Sequence, residues 1–217
     1  MSDIFNEVDE EVRREQLKKL WERYGNYAIA LAVLVVAAVA GWRAYQWYES
    51  KLANAAGAAY DAAGRLADEG KQEDAAAAFA KLSADGTAGY RQLARLREAA
   101  ALAEKDPKAA VAAYDAIVKD NAGQPLTSDL AGIRAALLLV DTAKLDEMTQ
   151  RLEPLAQFGS PFRHTARELL ALSAWHNGDL ATTRKWVDAA KDDPEAPAGL
   201  RARMEVLGAL LPEAAKT

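Results

Sequence analysis

The sequence predicts an all-α protein: one N-terminal transmembrane helix, then an α-solenoid of about four helix pairs closed by a C-terminal capping helix. Three observations predict it. The 19 residues from Tyr24 to Trp42 carry no charge. Beyond them alanine is abundant and runs of β-branched residues are missing, which favours helix over strand. Turn signals built on Gly, Pro and Asn then recur at near-constant intervals, and each segment between them has an apolar stripe of helical period.

The charge-free run justifies the first element. As a helix it reaches roughly 28 Å, about the hydrocarbon thickness of a bilayer. Its seven strongly apolar residues (Ile29, Leu31, Val33 to Val36 and Val39) together favour insertion by on the order of 2 to 4 kcal/mol. Tyr24 and Tyr27 before its centre, and Trp42, Tyr45, Trp47 and Tyr48 at its far end, supply interfacial aromatic belts. A buried core helix, the alternative, has no use for such girdles. Ala37 and Gly41 form one small-xxx-small pair, a hint of helix association.

The flanks predict the orientation. Arg13, Arg14, Lys18, Lys19 and Arg23 precede the span, whereas only Arg43 and Lys51 follow closely, so residues 1–23 are expected in the cytoplasm. The same cations suit an anionic lipid leaflet. Asp3, Glu7, Asp9, Glu10 and Glu11 stand ahead of them, an order that suits a helix dipole, and Ile4, Val8 and Val12 suggest a short amphipathic helix. Ala38-Val39-Ala40 resembles a signal-peptide cleavage site, which would free a soluble protein. A 23-residue leader with seven acids is unlike a signal n-region, and an uncleaved anchor is the expectation.

Residues 43–217 hold 22 basic and 25 acidic residues, a balance of −3 with no basic stripe, so nucleic acid is not an expected partner. With no cysteine, disulfides and thiolate metal sites are excluded. Residues 43–55 continue as a juxtamembrane helix. Beyond them, inter-helix turns at Gly70, Lys105, Ala143 and Gly178 are 35, 38 and 35 residues apart, close to the period of about 34 of the tetratricopeptide repeat (TPR). Four units follow: 56–89, 91–124, 129–162 and 164–197, with Pro125 to Ser128 as the longest joint.

Each second helix is expected to bury a trio at i, i+4, i+7: Ala75, Phe79, Leu82; Ala110, Tyr114, Ile117; Met148, Leu152, Leu155; and Thr183, Val187, Ala190. The close approach of paired helices needs a small residue at repeat position 8, supplied by Ala63, Ala136 and Ala171; the second unit departs with Glu98. Leu200, Met204, Leu207 and Leu211 give a last amphipathic helix to cover the end of the stack, within a capping segment and tail of residues 198–217.

No catalytic motif occurs, and neither an enzyme nor a cofactor is expected. His164 and His176, roughly 18 Å apart along one helix, are expected to be surface histidines. The pairs Asp146-Glu147 and Asp192-Asp193 are expected to be solvated caps. A solenoid binds through its concave face, at positions 2, 5, 9 and 12 of each first helix. These fall on Gly57, Tyr60, Gly64 and Ala67; Gln92, Arg95, Ala99 and Leu102; Leu130, Arg134, Leu138 and Asp141; and Thr165, Glu168, Leu172 and Trp175. Tyr60, Arg95, Arg134 and Trp175 are the candidate binding residues, because aromatic and Arg anchors dominate interface energetics. Packing between helices is the competing role for Tyr60 and Trp175.

The whole chain resembles a known family. An acidic-then-basic leading segment, an anchor ending in Gly41-Trp42-Arg43 with Tyr45 and Tyr48, an alanine-rich helix bearing Tyr60 and a TPR-like outer domain together resemble the ancillary SecYEG translocon subunit of Gram-negative bacteria. The resemblance implies a single-pass inner-membrane protein with a periplasmic TPR-like domain at residues 56–197. It also implies association with the Sec translocon, with a membrane-anchored periplasmic chaperone and with nascent secreted polypeptides. A TPR scaffold for another envelope assembly, in cell division or cytochrome maturation, is the alternative.

Overall fold

A computed structural model describes residues 2–120 and 124–212, with side chains from Arg13 onward except Gln16. All regular structure among them is helical: α1 Ser2–Asp68, α2 Gln72–Asp85, α3 Ala88–Leu102, α4 Pro107–Lys119, α5 Pro125–Leu139, α6 Leu145–Leu152, a 3-10 turn Pro154–Ala156, α7 Arg163–His176, α8 Leu180–Lys191 and α9 Ala198–Ala209. Two units divide at Asn54/Ala55.

The first unit lies within α1. The expected leading segment, span and juxtamembrane helix are stretches of one helix that no proline interrupts. Its best 18-residue window has a mean hydropathy of 1.9 with none of it buried, so it is long and apolar enough to cross a membrane. The side chains of Ile4, Val8 and Val12 lie outside the described residues.

In the second unit, the end of α1 and α2 to α9 pack chiefly on their chain neighbours, as in repeat proteins. Two inter-helix turns are chemically identical. Gly70 (φ 76°) donates its N–H to the Ala67 carbonyl while Lys71 N–H reaches Leu66; Gly178 (φ 76°) donates to Trp175 while Asp179 N–H reaches Ala174. This is the Schellman closure, and it needs a left-handed residue at that point. Open space surrounds both glycines, so Gly70→Ala meets only the backbone penalty, about 1 kcal/mol. Thermal unfolding of Gly70→Ala is expected roughly 2–4 °C below the parent.

Three of the four expected trios are buried in full. Ala75 and Phe79 are at most 1 % exposed and Leu82 is buried beside them; Ala110, Tyr114, Ile117 and Thr183, Val187, Ala190 are likewise buried. The third trio is corrected. Pro154 has no N–H to continue the ladder, so α6 stops at Leu152; Leu155 falls in the 3-10 turn and is half-buried, and Ala156 fills the core. Pro125 to Ser128 is not a joint either: it is the first turn of α5, with Pro125 at the helix start.

The Glu98 anomaly in the second unit has a physical resolution. Glu98 is half-buried at the helix edge, and Ala99 is the fully buried small residue. The step from the buried small residue of the first helix to the leading trio residue of the second is 12 residues in the other units (Ala63 to Ala75, Ala136 to Met148, Ala171 to Thr183) but 11 from Ala99 to Ala110. The turn there lacks a glycine and closes by Lys105 and Asp106 N–H groups both reaching the Leu102 carbonyl, with Asp106 capping α4 through Ala109 N–H at 2.9 Å. Asp106 thus follows the Leu102 carbonyl by four residues, whereas the capping residues Lys71, Lys144 and Asp179 follow Leu66, Leu139 and Ala174 by five, and the face of α3 turns by one position.

Leu200, Met204, Leu207 and Leu211 are buried, as an end helix requires. Asp146 and Glu147 sit in the first turn of α6, and His176 is exposed. His164 and Asp193 are corrections. The Asp193 side chain is 5 % exposed and held by Arg163 Nε (2.9 Å) and Arg167 Nη1 (2.8 Å), with the Glu195 N–H donating at 3.0 Å. The His164 ring is packed beside it, its Nδ1 buried and 3.8 Å from the Asp193 carboxylate. Neither is a solvated surface group.

Candidate protein-interaction groove

The one-position turn of α3 decides which side chains converge. A groove of ≈ 390 Å³ lies between the end of α1, α3, the buried Tyr114 of α4, and α5. Leu93, Leu96 and Ala100 of α3 and Leu130 of α5 give it apolar walls, and Tyr60, Arg97 and Arg134 give it polar tips. Two guanidinium groups face it, and no carboxylate among the described residues lines it. Arg97 Nε donates to the Tyr60 hydroxyl at 3.1 Å, which leaves the rest of its fork and the exposed Arg134 for a ligand. Burial raises the Tyr114 phenol pKa, an effect the nearby Arg134 cation opposes. The phenol is neutral at ordinary pH.

Of the four candidate residues, the fold brings together Tyr60 and Arg134. Tyr60 has two roles at once: its ring packs edge-on against Phe79 (centroids 5.4 Å) and beside Tyr90 (6.0 Å), while its hydroxyl reaches the groove. Arg95 lies on another face of α3. It opens on a more polar depression of ≈ 690 Å³ with Arg91, Gln92 and Glu98, and it is already bonded to Asp120 at 2.6 Å. Trp175 is far along the chain near the end of α7, 37 % exposed, with Leu172 one turn before it exposed to the same degree.

Leu130, another expected concave position, lines the groove, but Ala99 and Glu168 do not line an open face. Ala99 is fully buried. Glu168 is taken by Arg203 of α9, whose Nε and Nη2 donate to its two oxygens at 2.5 and 2.8 Å, so the capping helix also closes this part of the fourth unit. Sequence reasoning missed Leu93, Leu96 and Arg97. Placing Ala99, rather than Glu98, at repeat position 8 moves each lining position forward by one and recovers Leu93, Leu96 and Ala100, though not Arg97.

The groove offers two kinds of contact. Apolar walls take side chains, and isolated guanidinium groups take carboxylate or carbonyl oxygens. Comparison with known proteins agrees at the level of the domain. The family described as "Tetratricopeptide repeat-like domain" matches residues 18–200, taking in both the apolar stretch of α1 and the repeats. No curated protein and no solved structure matches the chain. Domains of this kind are typically protein-interaction scaffolds rather than enzymes. With its match spanning most of the sequence, the chain belongs to the tetratricopeptide repeat-like domain family.

Proposed function

We propose that this protein is a membrane-tethered interaction module that assists secreted polypeptides at the Sec translocon. In this reading residues 24–42 cross the inner membrane once, residues 1–23 are cytoplasmic, and residues 56–197 work in the periplasm. The support for orientation is the imbalance of five cations before the span against two after it. The support for the partners is the resemblance of the anchor and its GWRxYQxY stretch to the ancillary translocon subunit, which points to the translocon and to a membrane-anchored chaperone.

The observation that carries the reading is the groove. Apolar walls with two guanidinium groups and no acid suit an extended segment that presents apolar side chains and an acidic residue. Tethering raises the local concentration of the groove near any membrane partner, so weak contacts suffice. Photocrosslinkers placed at Leu93 and Arg134 are expected to label translocon subunits or nascent secreted chains in cells, with Trp175 as a second probe. An Arg97→Ala/Arg134→Ala double variant is expected to lower labelling from Leu93 by roughly 5- to 30-fold, the loss of about 1–2 kcal/mol of anchoring. Labelling confined to cell-division or cytochrome-maturation factors would favour the scaffold alternative and sink this one.

A further inference from the structure

The first unit carries a pattern that neither the repeat domain nor the tether requires. Starting at Leu17, apolar or tyrosine residues recur in steps that alternate three and four: Leu20, Tyr24, Tyr27, Leu31, Leu34. The alternation continues without a miss through Ala38 and Gly41 to Tyr45, Tyr48 and Leu52. That is a heptad a/d seam sustained over five heptads, and no Asp, Glu, Lys or Arg occupies any of its positions. A membrane span needs apolar residues on every side and has no use for a period; here the period starts before the charge-free stretch and ends after it. All four tyrosines of α1 before Tyr60 lie on the seam, whereas Trp21, Trp42 and Trp47 lie off it.

We propose that this seam pairs with the same seam of a second copy of the chain, as a parallel left-handed two-helix coil running through the membrane. Three observations favour a second copy. First, the nine Leu and Tyr side chains of the seam are 44–74 % exposed in one chain. Burying roughly half of that exposed surface in both partners removes on the order of 1,000–1,400 Å², the range of specific protein pairs. Secondly, a strict 3.5-residue repeat drifts by ~20° per heptad on a straight helix, so it stays aligned only on a partner that supercoils with the same period. An identical helix held at the same depth and orientation meets this condition at each level. Thirdly, the seam narrows where helices must approach: Ala38 and Gly41 are on it and Ala30, Ala37 and Ala44 flank it, while Ile29 and Val36 point the opposite way.

The proposal takes the membrane-crossing reading of α1 as given, and carbonate extraction tests that reading separately. The chain contains no cysteine, so single cysteines can be placed in the full-length protein without background. Oxidation in native membranes is expected to give disulfide-linked dimers at Leu20→Cys, Tyr27→Cys, Leu34→Cys, Gly41→Cys and Tyr48→Cys. Yields several-fold lower are expected at the opposite positions Glu22→Cys, Ile29→Cys, Val36→Cys and Ser50→Cys. Uniform yields at all nine positions, yields peaking on the opposite face, or no dimer at any position with the protein still in the membrane would overturn the proposal. So would a seam cysteine that links only to a protein of different mass.

Discussion

Val33→Arg is expected to release the protein from membranes. Val33 is the midpoint of the charge-free stretch from Tyr24 to Trp42 and is 63 % exposed on α1, so no protein partner shields it within the chain. An arginine at the centre of a spanning helix costs about 2.5–3.5 kcal/mol on the insertion scale, and the valine contribution of about 0.3–0.6 kcal/mol is lost with it. That change is comparable to the on the order of 2 to 4 kcal/mol that favours insertion. The expected result is a shift of most of the protein from the carbonate-resistant pellet to the supernatant. Val33→Leu, of similar polarity, is expected to leave the distribution unchanged. If Val33→Arg stays in the pellet, the stretch does not insert as a span. The repeat domain provides an internal control, because it has its own cores and its thermal unfolding is expected to be insensitive to this substitution.

Where local chemistry decides structure, the sequence was legible. Gly70 and Gly178 announce identical left-handed turns, and the trios ending in Leu82, Ile117 and Ala190 announce the buried faces of α2, α4 and α8. These features need only a helical period and a residue that tolerates positive φ. Legibility failed where one residue of chain length moves a whole face. The α3–α4 turn, one residue shorter than the others, displaced the lining of the groove from Gln92 and Arg95 to Leu93 and Leu96, and a register of period 34 imposed on every unit cannot see that. Pro154 was visible, yet its consequence for Leu155 depended on where α6 began. The other failure was long-range pairing. Nothing in the local sequence of Asp192-Asp193 tells that one of the two turns inward to meet arginines 26 and 30 residues earlier.

That inward carboxylate makes the second large prediction. Asp193 accepts hydrogen bonds from Arg163 and Arg167, and Arg163 also pairs with Glu195. Arg167 ties the site to the backbone through the Ala156 and Ala189 carbonyls, each at 3.0 Å. The hydrogen bond from Arg163 holds the Asp193 carboxyl well below the usual carboxylate range, against the opposing effect of burial. Asp193→Asn keeps the shape and removes the charge, leaving Arg167 without its carboxylate partner and Arg163 with only the exposed Glu195. The expected loss is about 3 kcal/mol, a fall of roughly 6–12 °C in Tm for a domain of this size. The pH dependence follows from the same site. Because the folded state holds Asp193 ionised, its contribution is complete above the ordinary carboxylate value of about 4 and is lost as pH falls below it. The His164 pKa is also lowered, first by burial and then by Arg163, so the unfolded chain binds that proton more readily. Stability is therefore expected to decline in two steps on acidification, the first beginning near pH 6.5 and the second near pH 4, roughly the ordinary values of the two groups. His164→Gln is expected to abolish the first step and Asp193→Asn the second, as read from Tm against pH. A Tm for Asp193→Asn within about 1 °C of the parent at pH 7 would show that Asp193 does not hold the turn before α9 onto α7.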